Sequence, residues 1–320
     1  MDAEEKMNKK LISIITPVFN EEDNVNEFVA VVSKVMITLN NQYDYEVIFT
    51  DNHSTDQTFE ILKEIAGKDN RIRVFRFSKN YGYQKSILTG YKKARGDCAI
   101  QLDCDLQDSP ELISDFICQW EKGYKVVYGV RKKRKEGFFI TALRRLFYRM
   151  IDFMSEEPLP HDAGDFRLVD RLVLDELKKV DDCDPYLRGM IAVMGFQQIG
   201  IPYERSERKR GLSKFSFLQL VRLAVDGISN HSIMPLRFSF FIGIGISLLT
   251  TVTLIGYVFA SVFFGQDWPS GFATIIIFIL FSLSFQAIFL GLIGEYIGRI
   301  YRQLKIPASV MIEESINEDP

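Results

Sequence analysis

Histidine and cysteine are scarce in this chain of 320 residues, which narrows the kinds of site it can hold. The three histidines (His53, His161 and His231) lie far apart in sequence, so ordinary loop positions are expected for them rather than a metal-binding triad. The four cysteines have no zinc-binding spacing, and no secretory signal precedes them. We therefore expect reduced thiols that face the cytosol.

A dinucleotide-binding fingerprint is absent as well, because no Gly-x-Gly-x-x-Gly follows the first predicted strand. The formal net charge of −3 selects no class of partner, since the charges are segregated locally along the chain. We expect no nucleic acid among the partners.

Charge is missing altogether from two long apolar stretches, residues 238–264 and 272–294. Each exceeds the roughly 20 residues that a helix needs to cross a hydrocarbon core of about 30 Å. Buried core helices are the weaker alternative, because soluble helices rarely stay apolar all round for that length. Cations flank the pair, with Arg237 before it and Arg299 after it, whereas the turn at 265–271 has none. The positive-inside rule then predicts a transmembrane hairpin with both ends in the cytosol.

The first two thirds of the chain alternates between strand and helix patterns. Short apolar, β-branched runs are separated by amphipathic stretches such as 25–39, 55–66 and 83–93. This repetition with short connections predicts an α/β fold with a mostly parallel sheet covered by helices. The strands are predicted at 11–15, 45–50, 72–77, 97–102 and 125–128.

An acidic cluster at residues 101–111 directly follows one of these strands. Asp103 and Asp105 are two residues apart, so both can reach one cation, and oxygen ligands suit Mg²⁺ or Mn²⁺. Ligands are expected at the carboxyl ends of strands in α/β sheets. The alternative is a solvated turn leading into a helix, with Ser109 as its cap and Pro110 at its first position.

Two cationic segments follow the acidic cluster in sequence. The run at 131–135 is either a solvated loop or a contact with phosphate or an anionic membrane surface. The segment 203–214 is polar and cationic, and it precedes a stretch at 215–234 with apolar residues at helical spacing. We interpret that stretch as an amphipathic helix lying on the membrane or on the next segment.

Six short motifs carry a resemblance to a known family. In order they are TPVFNEE (16–22), DNHSTD (51–56), DCDLQD (103–108), GDFRL (164–168), GLSK (211–214) and GEYIGR (294–299). The chain resembles family 2 glycosyltransferases of the GT-A type, especially polyprenyl-phosphate glycosyltransferases such as the GtrB-like bactoprenol glucosyltransferases and the dolichol-phosphate mannose synthases. The resemblance covers nearly the whole chain. It implies a GT-A catalytic domain, with a Rossmann-like mixed, mostly parallel sheet, followed by the two-helix hairpin.

The resemblance also implies a donor site for a nucleotide sugar, a UDP- or GDP-hexose. Asp103 and Asp105 would bind the Mg²⁺ or Mn²⁺ that bridges the donor diphosphate. The metal would neutralise charge developing on the departing nucleotide. The nucleotide-sugar-binding residues that it implies are Pro17, Glu21, Asp51, Asp103 and Gln107. One departure concerns Asn52 and His53, where family members usually carry Asp-Gly.

For the acceptor, the resemblance makes Asp165 the candidate base or acceptor-orienting group. Asp162 is its rival, because the mannose synthases have an aspartate a few residues earlier. A structural ion pair of Asp165 with Arg167 or Arg205 is the alternative to a catalytic role. The residues implied to grip the acceptor phosphate are Arg131, Arg208, Ser213 and Lys214.

These expectations combine into one hypothesis. The chain transfers a glucose- or mannose-type hexose, with inversion, from the nucleotide sugar to membrane polyprenyl phosphate. The alternatives are a saccharide or glycerolipid acceptor, and a transporter or scaffold whose acidic cluster is structural. A homo-oligomer is left open by the close-packing spacing of Gly294 and Gly298.

The same hypothesis sets the organisation of the chain and its location. We expect a multi-pass protein of the inner or plasma membrane, with its catalytic domain and both termini in the cytoplasm. The predicted parts are a glycosyltransferase domain (1–212), an amphipathic juxtamembrane helix (213–235), two transmembrane helices (236–300) and a cytosolic tail (301–320).

Overall fold

The structure is a computed structural model, and the residues that it describes are grouped in two compact units. Of the described residues, 9–131, 163–183, 185–205 and 309–318 belong to the first unit, and those between 241 and 305 belong to the second. The described residues are 9–131, 163–183, 185–205, 271–305 and 309–318, with scattered positions between 241 and 263.

The first unit is built on an eight-stranded sheet with the order β7-β5-β6-β4-β1-β2-β3-β8. The strands are β1 (Lys10–Val18), β2 (Tyr43–Asp51), β3 (Ile72–Phe77), β4 (Cys98–Gln101), β5 (Val126–Arg131), β6 (Ala163–Asp170), β7 (Gln198–Tyr203) and β8 (Ile312–Ile316). Its described helices are α1 (Val25–Leu39), α2 (Thr58–Lys68), α3 (Tyr83–Lys93), α4 (Leu112–Glu121), α5 (Arg171–Lys178) and α6 (Leu187–Val193).

The sheet is mixed and mostly parallel. Strand β1 runs parallel to both β2 and β4, β2 is parallel to β3, and β5 is parallel to β7. Strands β6 and β8 pair antiparallel with their neighbours. The predicted α/β fold with a mostly parallel sheet is therefore confirmed. The antiparallel strands β6 and β8 were not predicted.

Helices cover both faces of the sheet, because successive strand residues point to opposite sides. Ile14 packs into the core beneath α1, α2 and α4, whereas its neighbour Ile15 packs into the core beneath α3, α5 and α6. Helix α3 lies especially close to β1, since a Cβ on Gly90 would come within 2.3 Å of Ile15 Cγ2. Glycine is required there for the approach rather than for its backbone freedom.

The last strand, β8, brings the end of the chain back to the sheet. It pairs antiparallel with β3 and so covers what would otherwise be an open edge. Asn317, just beyond it, donates its side-chain amide to the carbonyls of Ala66 and Ile72, each at 2.8 Å. Part of the segment expected to be a tail (301–320) therefore belongs to the sheet.

The second unit contains α7 (Phe272–Lys305), a helix of 34 residues. Several of its large apolar side chains are exposed, among them Phe278, Leu283 and Leu290. No helix formed by the described residues is both long and apolar enough to cross a membrane. The transmembrane hairpin stays a prediction, and the expected amphipathic helix at 213–235 lies outside the described residues.

Candidate active site

The candidate site lies at the edge where β2, β1 and β4 end side by side. Val18 is the register partner of Asp51, and Ile15 is that of Gln101, so these parallel strands deliver their carboxyl ends together. Each of the three strands is followed by a non-glycine residue in the left-handed region: Asn20 (φ 57°), His53 (φ 64°) and Leu106 (φ 53°). Backbone held in this region is costly and is concentrated at functional sites.

The loop after β1 is fastened to the loop after β2. The Asn20 amide donates to Ser54 Oγ at 3.0 Å, and the Thr55 amide donates to Asn20 Oδ1 at 2.8 Å. The Glu21 carboxylate accepts a hydrogen bond from Asn24 Nδ2 at 2.5 Å. Pro17 is buried within β1. Three of the residues expected to bind the nucleotide sugar thus lie at two adjacent strand ends: Pro17, Glu21 and Asp51.

Asp51 is completely buried, and only one of its two carboxylate oxygens accepts hydrogen bonds. Its Oδ1 accepts hydrogen bonds from the Ser54 amide (3.0 Å) and Ser54 Oγ (2.5 Å). Its Oδ2 is buried without a hydrogen-bond partner, and Arg76 Nε lies 4.0 Å away. Burial raises the pKa of Asp51, against the opposing effect of Ser54. A buried acceptor without a donor is rare, and a ligand N–H or O–H would satisfy it.

His53 stands at the position where family members usually carry glycine. Its left-handed backbone is one that glycine adopts without steric cost, whereas a histidine is strained there. The imidazole Nδ1 lies 2.9 Å from the Phe77 carbonyl oxygen, a contact that glycine cannot make. Asn52 keeps a structural role, because its Oδ1 accepts a hydrogen bond from the Tyr81 amide at 2.8 Å.

Asp103 is the centre of the acidic cluster. Its Oδ1 accepts hydrogen bonds from Tyr83 Oη (2.6 Å) and Gln101 Nε2 (2.7 Å). Burial, together with the charges of Asp105, Asp108 and Asp165, raises its pKa to about 6 even though Tyr83 favours the ionised form. A bound cation would reduce the repulsion among these carboxylates.

The donor set suits a hard divalent cation. Asp105 supplies a second carboxylate, whose Oδ1 accepts from the Gln107 amide at 3.1 Å, and the buried Gln101 Oε1 has no hydrogen-bond partner. Within the described ranges, no three His, Cys, Asp or Glu side chains converge as a metal site. Mg²⁺ is commonly held by one or two carboxylates plus waters and substrate phosphates, so a pair is a sufficient protein contribution.

Asp165, on β6, is held by a residue that the sequence analysis did not name. Arg188 of α6 donates from Nε to Oδ1 and from Nη2 to Oδ2. Arg167 donates to the Gly164 carbonyl, and Arg205 Nε lies 3.1 Å from Asp108 Oδ1, so Asp165 forms its ion pair with a third arginine. Burial would raise the pKa of Asp165, but Arg188 outweighs it and holds that pKa below its ordinary value. The charge of Arg167 also helps to lower the pKa of Asp165.

Arg131 belongs to a neighbouring polar group. A Cβ on Gly164 would come within 3.1 Å of Arg131 Nη2, so the glycine leaves room for the guanidinium. Tyr203 donates a hydrogen bond to the buried Asp108, whose charge also acts on Arg131. The remaining predicted site residues lie outside the described residues: Asp162, Arg208, Ser213 and Lys214.

Comparison with known proteins gives a consistent picture. Residues 13–178 match the family described as glycosyl transferase family 2. The uncharacterized glycosyltransferase YkcC of Bacillus subtilis is 37% identical over 307 residues, which are 95% of this chain and 93% of YkcC. A bactoprenol glucosyl transferase derived from prophage SfII of Shigella flexneri is 31% identical, covering 97% of this chain and 99% of its own.

Among solved structures, the mannosyltransferase PcManGT from Pyrobaculum calidifontis, in complex with GDP-Man and Mn²⁺, is 16% identical. It aligns with 93% of this chain and 88% of its own length at a TM-score of 0.47.

Proposed function

The chain belongs to glycosyl transferase family 2, and from that membership we propose that it transfers a hexose from a nucleotide sugar to a membrane polyprenyl phosphate. The observation that carries the proposal is the polar edge itself. Buried acceptors on β2 and β4 lack donors there, beside a crowded group of carboxylates. A nucleoside diphosphate with a divalent cation would supply both the donors and the positive charge. The bactoprenol glucosyl transferase relatives support the lipid acceptor.

Asp103 and Asp105 would hold Mg²⁺ or Mn²⁺ in this proposal. When bound, the cation would stabilise negative charge on the departing diphosphate. Asp51 would accept a hydrogen bond from the nucleoside, and Pro17, Glu21 and Gln107 would complete the donor site from the neighbouring strand ends.

Asp165 would position the acceptor rather than act as a strong base. Its lowered pKa makes it a weak proton acceptor, and the phosphate of the lipid is largely ionised near neutral pH. A phosphate oxygen attacks the anomeric carbon, and the new C–O bond forms as the bond to the nucleoside diphosphate breaks. The electron pair leaves with the diphosphate, and attack from the opposite face inverts the carbon. Arg131, Arg208, Ser213 and Lys214 are our choices for gripping the lipid phosphate.

We place the catalytic domain on the cytoplasmic face of the inner or plasma membrane and assign residues 236–300 to a two-helix transmembrane hairpin. The docking of β8 supports this arrangement, because β1 and β8 belong to one sheet. Whatever crossings occur between them must therefore be even in number. Reporter fusions after Pro320 and at Asp267 should report opposite sides of the membrane. A C-terminus on the outer side would contradict the arrangement.

The deciding experiment uses the full chain in lipid vesicles. Radiolabelled UDP- and GDP-hexoses are offered with a short polyprenyl phosphate, a saccharide or diacylglycerol as the acceptor, and Asp103→Asn serves as the inactive control. We expect label in the polyprenyl phosphate product alone, with an inverted anomeric configuration by NMR. Transfer only to the saccharide or to diacylglycerol would overturn the lipid-phosphate acceptor, and no transfer to any of the three would overturn the function.

A further inference from the structure

The strand that ends the chain is irregular next to the donor side of the site. Arg76 of β3 pairs with Glu314 of β8, but the following residue, Phe77, pairs with Ile312. Glu313 is therefore the extra residue of a β-bulge. Bulges redirect a side chain and are concentrated beside active sites.

Glu313 reaches toward the residues that surround Asp51. Its Oε2 lies 3.7 Å from Arg76 Nε and 3.6 Å from His53 Nδ1. The Arg76 guanidinium also lies over the ring of Phe59, with its carbon 4.3 Å from the ring centre. Arg76 Nε is in turn 4.0 Å from Asp51 Oδ2. One cation thus lies between an exposed carboxylate on the last strand and a buried carboxylate at the end of β2.

The position of Arg76 is informative because the guanidinium lies near two carboxylates, the buried one of Asp51 and the exposed one of Glu313. A buried carboxylate interacts more strongly with a cation than an exposed one does, since water screens the exposed pair. Arg76 nevertheless stops short of hydrogen-bond distance from Asp51, and Oδ2 is left without a donor. Two other contacts compete with Asp51 for the guanidinium: the Glu313 carboxylate and the ring of Phe59.

We propose that Glu313 is a positioning residue for the donor: it keeps Arg76 from closing on Asp51, so that Oδ2 stays available to an N–H or O–H of the nucleoside. The inference rests on the proposed function for the presence of a nucleotide donor. It assigns the end of the chain, more than 230 residues beyond Arg76 in sequence, a part in donor affinity.

The test compares Glu313→Gln with Glu314→Gln in the full chain. Glu314 is the next residue of the same strand, and its carboxylate pairs with Lys63 at 2.9 Å, so the control removes a neighbouring ion pair and spares Arg76. The affinities for UDP and GDP are measured by calorimetry with Mn²⁺ present, alongside thermal unfolding. The variants Arg76→Gln and Arg76→Gln/Glu313→Gln complete a double-mutant cycle.

We expect Glu313→Gln to weaken binding of the preferred nucleotide about three- to fivefold, the scale of a partly exposed ion pair. KM for the donor should rise similarly while kcat is kept. Glu314→Gln should leave donor affinity unchanged, and Glu313→Gln should have no further effect once Arg76 is replaced.

Equal donor affinity for the wild type and Glu313→Gln would overturn the inference and leave the proposed function standing. An equal loss in both glutamate variants would also overturn it, because that result indicates general loosening of β8. Failure of the wild type to bind either nucleotide would overturn the inference and the proposed function together.

Discussion

Arg188 and Asp165 are joined by two parallel hydrogen bonds, each 2.8 Å long, from Nε to Oδ1 and from Nη2 to Oδ2. The pair links α6 to β6 and fixes the plane of the carboxylate. A forked guanidinium matches a carboxylate in a way that an ammonium group does not. The orientation of Asp165 therefore depends on Arg188, and both should matter much more for transfer than for binding at the donor site, which lies on other strand ends.

The first prediction concerns this pair. Asp165→Asn and Arg188→Gln should each lower the transfer rate about a hundredfold, the scale expected when a positioning group is lost. Arg188→Lys should not restore the rate, because it cannot make both hydrogen bonds. Donor affinity by calorimetry should change far less than the transfer rate, because Asp165 acts on Asp103 only through its charge, and this difference separates the two steps.

The rival assignment gives the opposite result. If Asp165→Asn transfers at the wild-type rate while Asp162→Asn is inactive, the earlier aspartate holds the role. A parallel loss of donor affinity in Asp165→Asn would instead show that the acceptor and donor sites are not separate.

Asp51 and Asp103 could be predicted from sequence because each directly follows an apolar strand, where local pattern and sheet geometry determine the position. Arg188 could not be predicted, since it is 23 residues from Asp165 in sequence and their pairing depends on how α6 packs against β6. A cation in a short, otherwise apolar helix was the only signal. Strand β8 escaped prediction for a similar reason. Its sequence, IEESI, has two adjacent glutamates and no apolar run, and only pairing with β3 makes it a strand.

The second prediction concerns the carboxylates expected to hold the cation. Asp103→Asn and Asp105→Asn keep the side-chain shape but each remove a negative charge. Without metal, Asp103→Asn should be at least as stable as the wild type, because the substitution relieves repulsion by Asp105, Asp108 and Asp165. Both variants should lose the rise in thermal midpoint that Mn²⁺ plus nucleotide gives the wild type. An undiminished rise in both, together with full transfer activity in EDTA, would rule out the metal assignment.

The third prediction isolates the backbone strain at His53. His53→Gly and His53→Ala both lose the imidazole contact with the Phe77 carbonyl, so they differ only in backbone preference. Since φ is 64° at this position, the glycine variant should be more stable than the alanine variant by about 1 kcal/mol. Thermal unfolding of the two proteins measures the difference. Equal stability would mean that this loop relaxes out of the left-handed region when the histidine is removed.

The last prediction concerns how acid affects the docking of β8. Glu318, just beyond this strand, forms an ion pair with Lys93 of α3. Burial alone would raise the pKa of Glu318, but the hydrogen bond and charge of Lys93 outweigh it and hold that pKa below its ordinary value. A lowered folded-state pKa means that the pair stabilises docking above the unfolded glutamate value of about 4.3. The stabilisation is lost as the pH falls through the folded-state pKa.

Hydrogen exchange of the β8 amides, corrected for intrinsic rates, measures this docking directly. Glu318→Gln should show less protection than the wild type at neutral pH, and the two curves should converge in acid. Glu64→Gln is the matched control, because the pKa of Glu64 is also lowered, by Lys68, but the pair lies on α2. It should leave β8 protection unchanged at every pH. If Glu318→Gln follows the wild type across the whole range, the Glu318–Lys93 ion pair does not hold the strand, and β8 is docked by its other contacts, among them the backbone ladder, Asn317 and the Glu314–Lys63 pair.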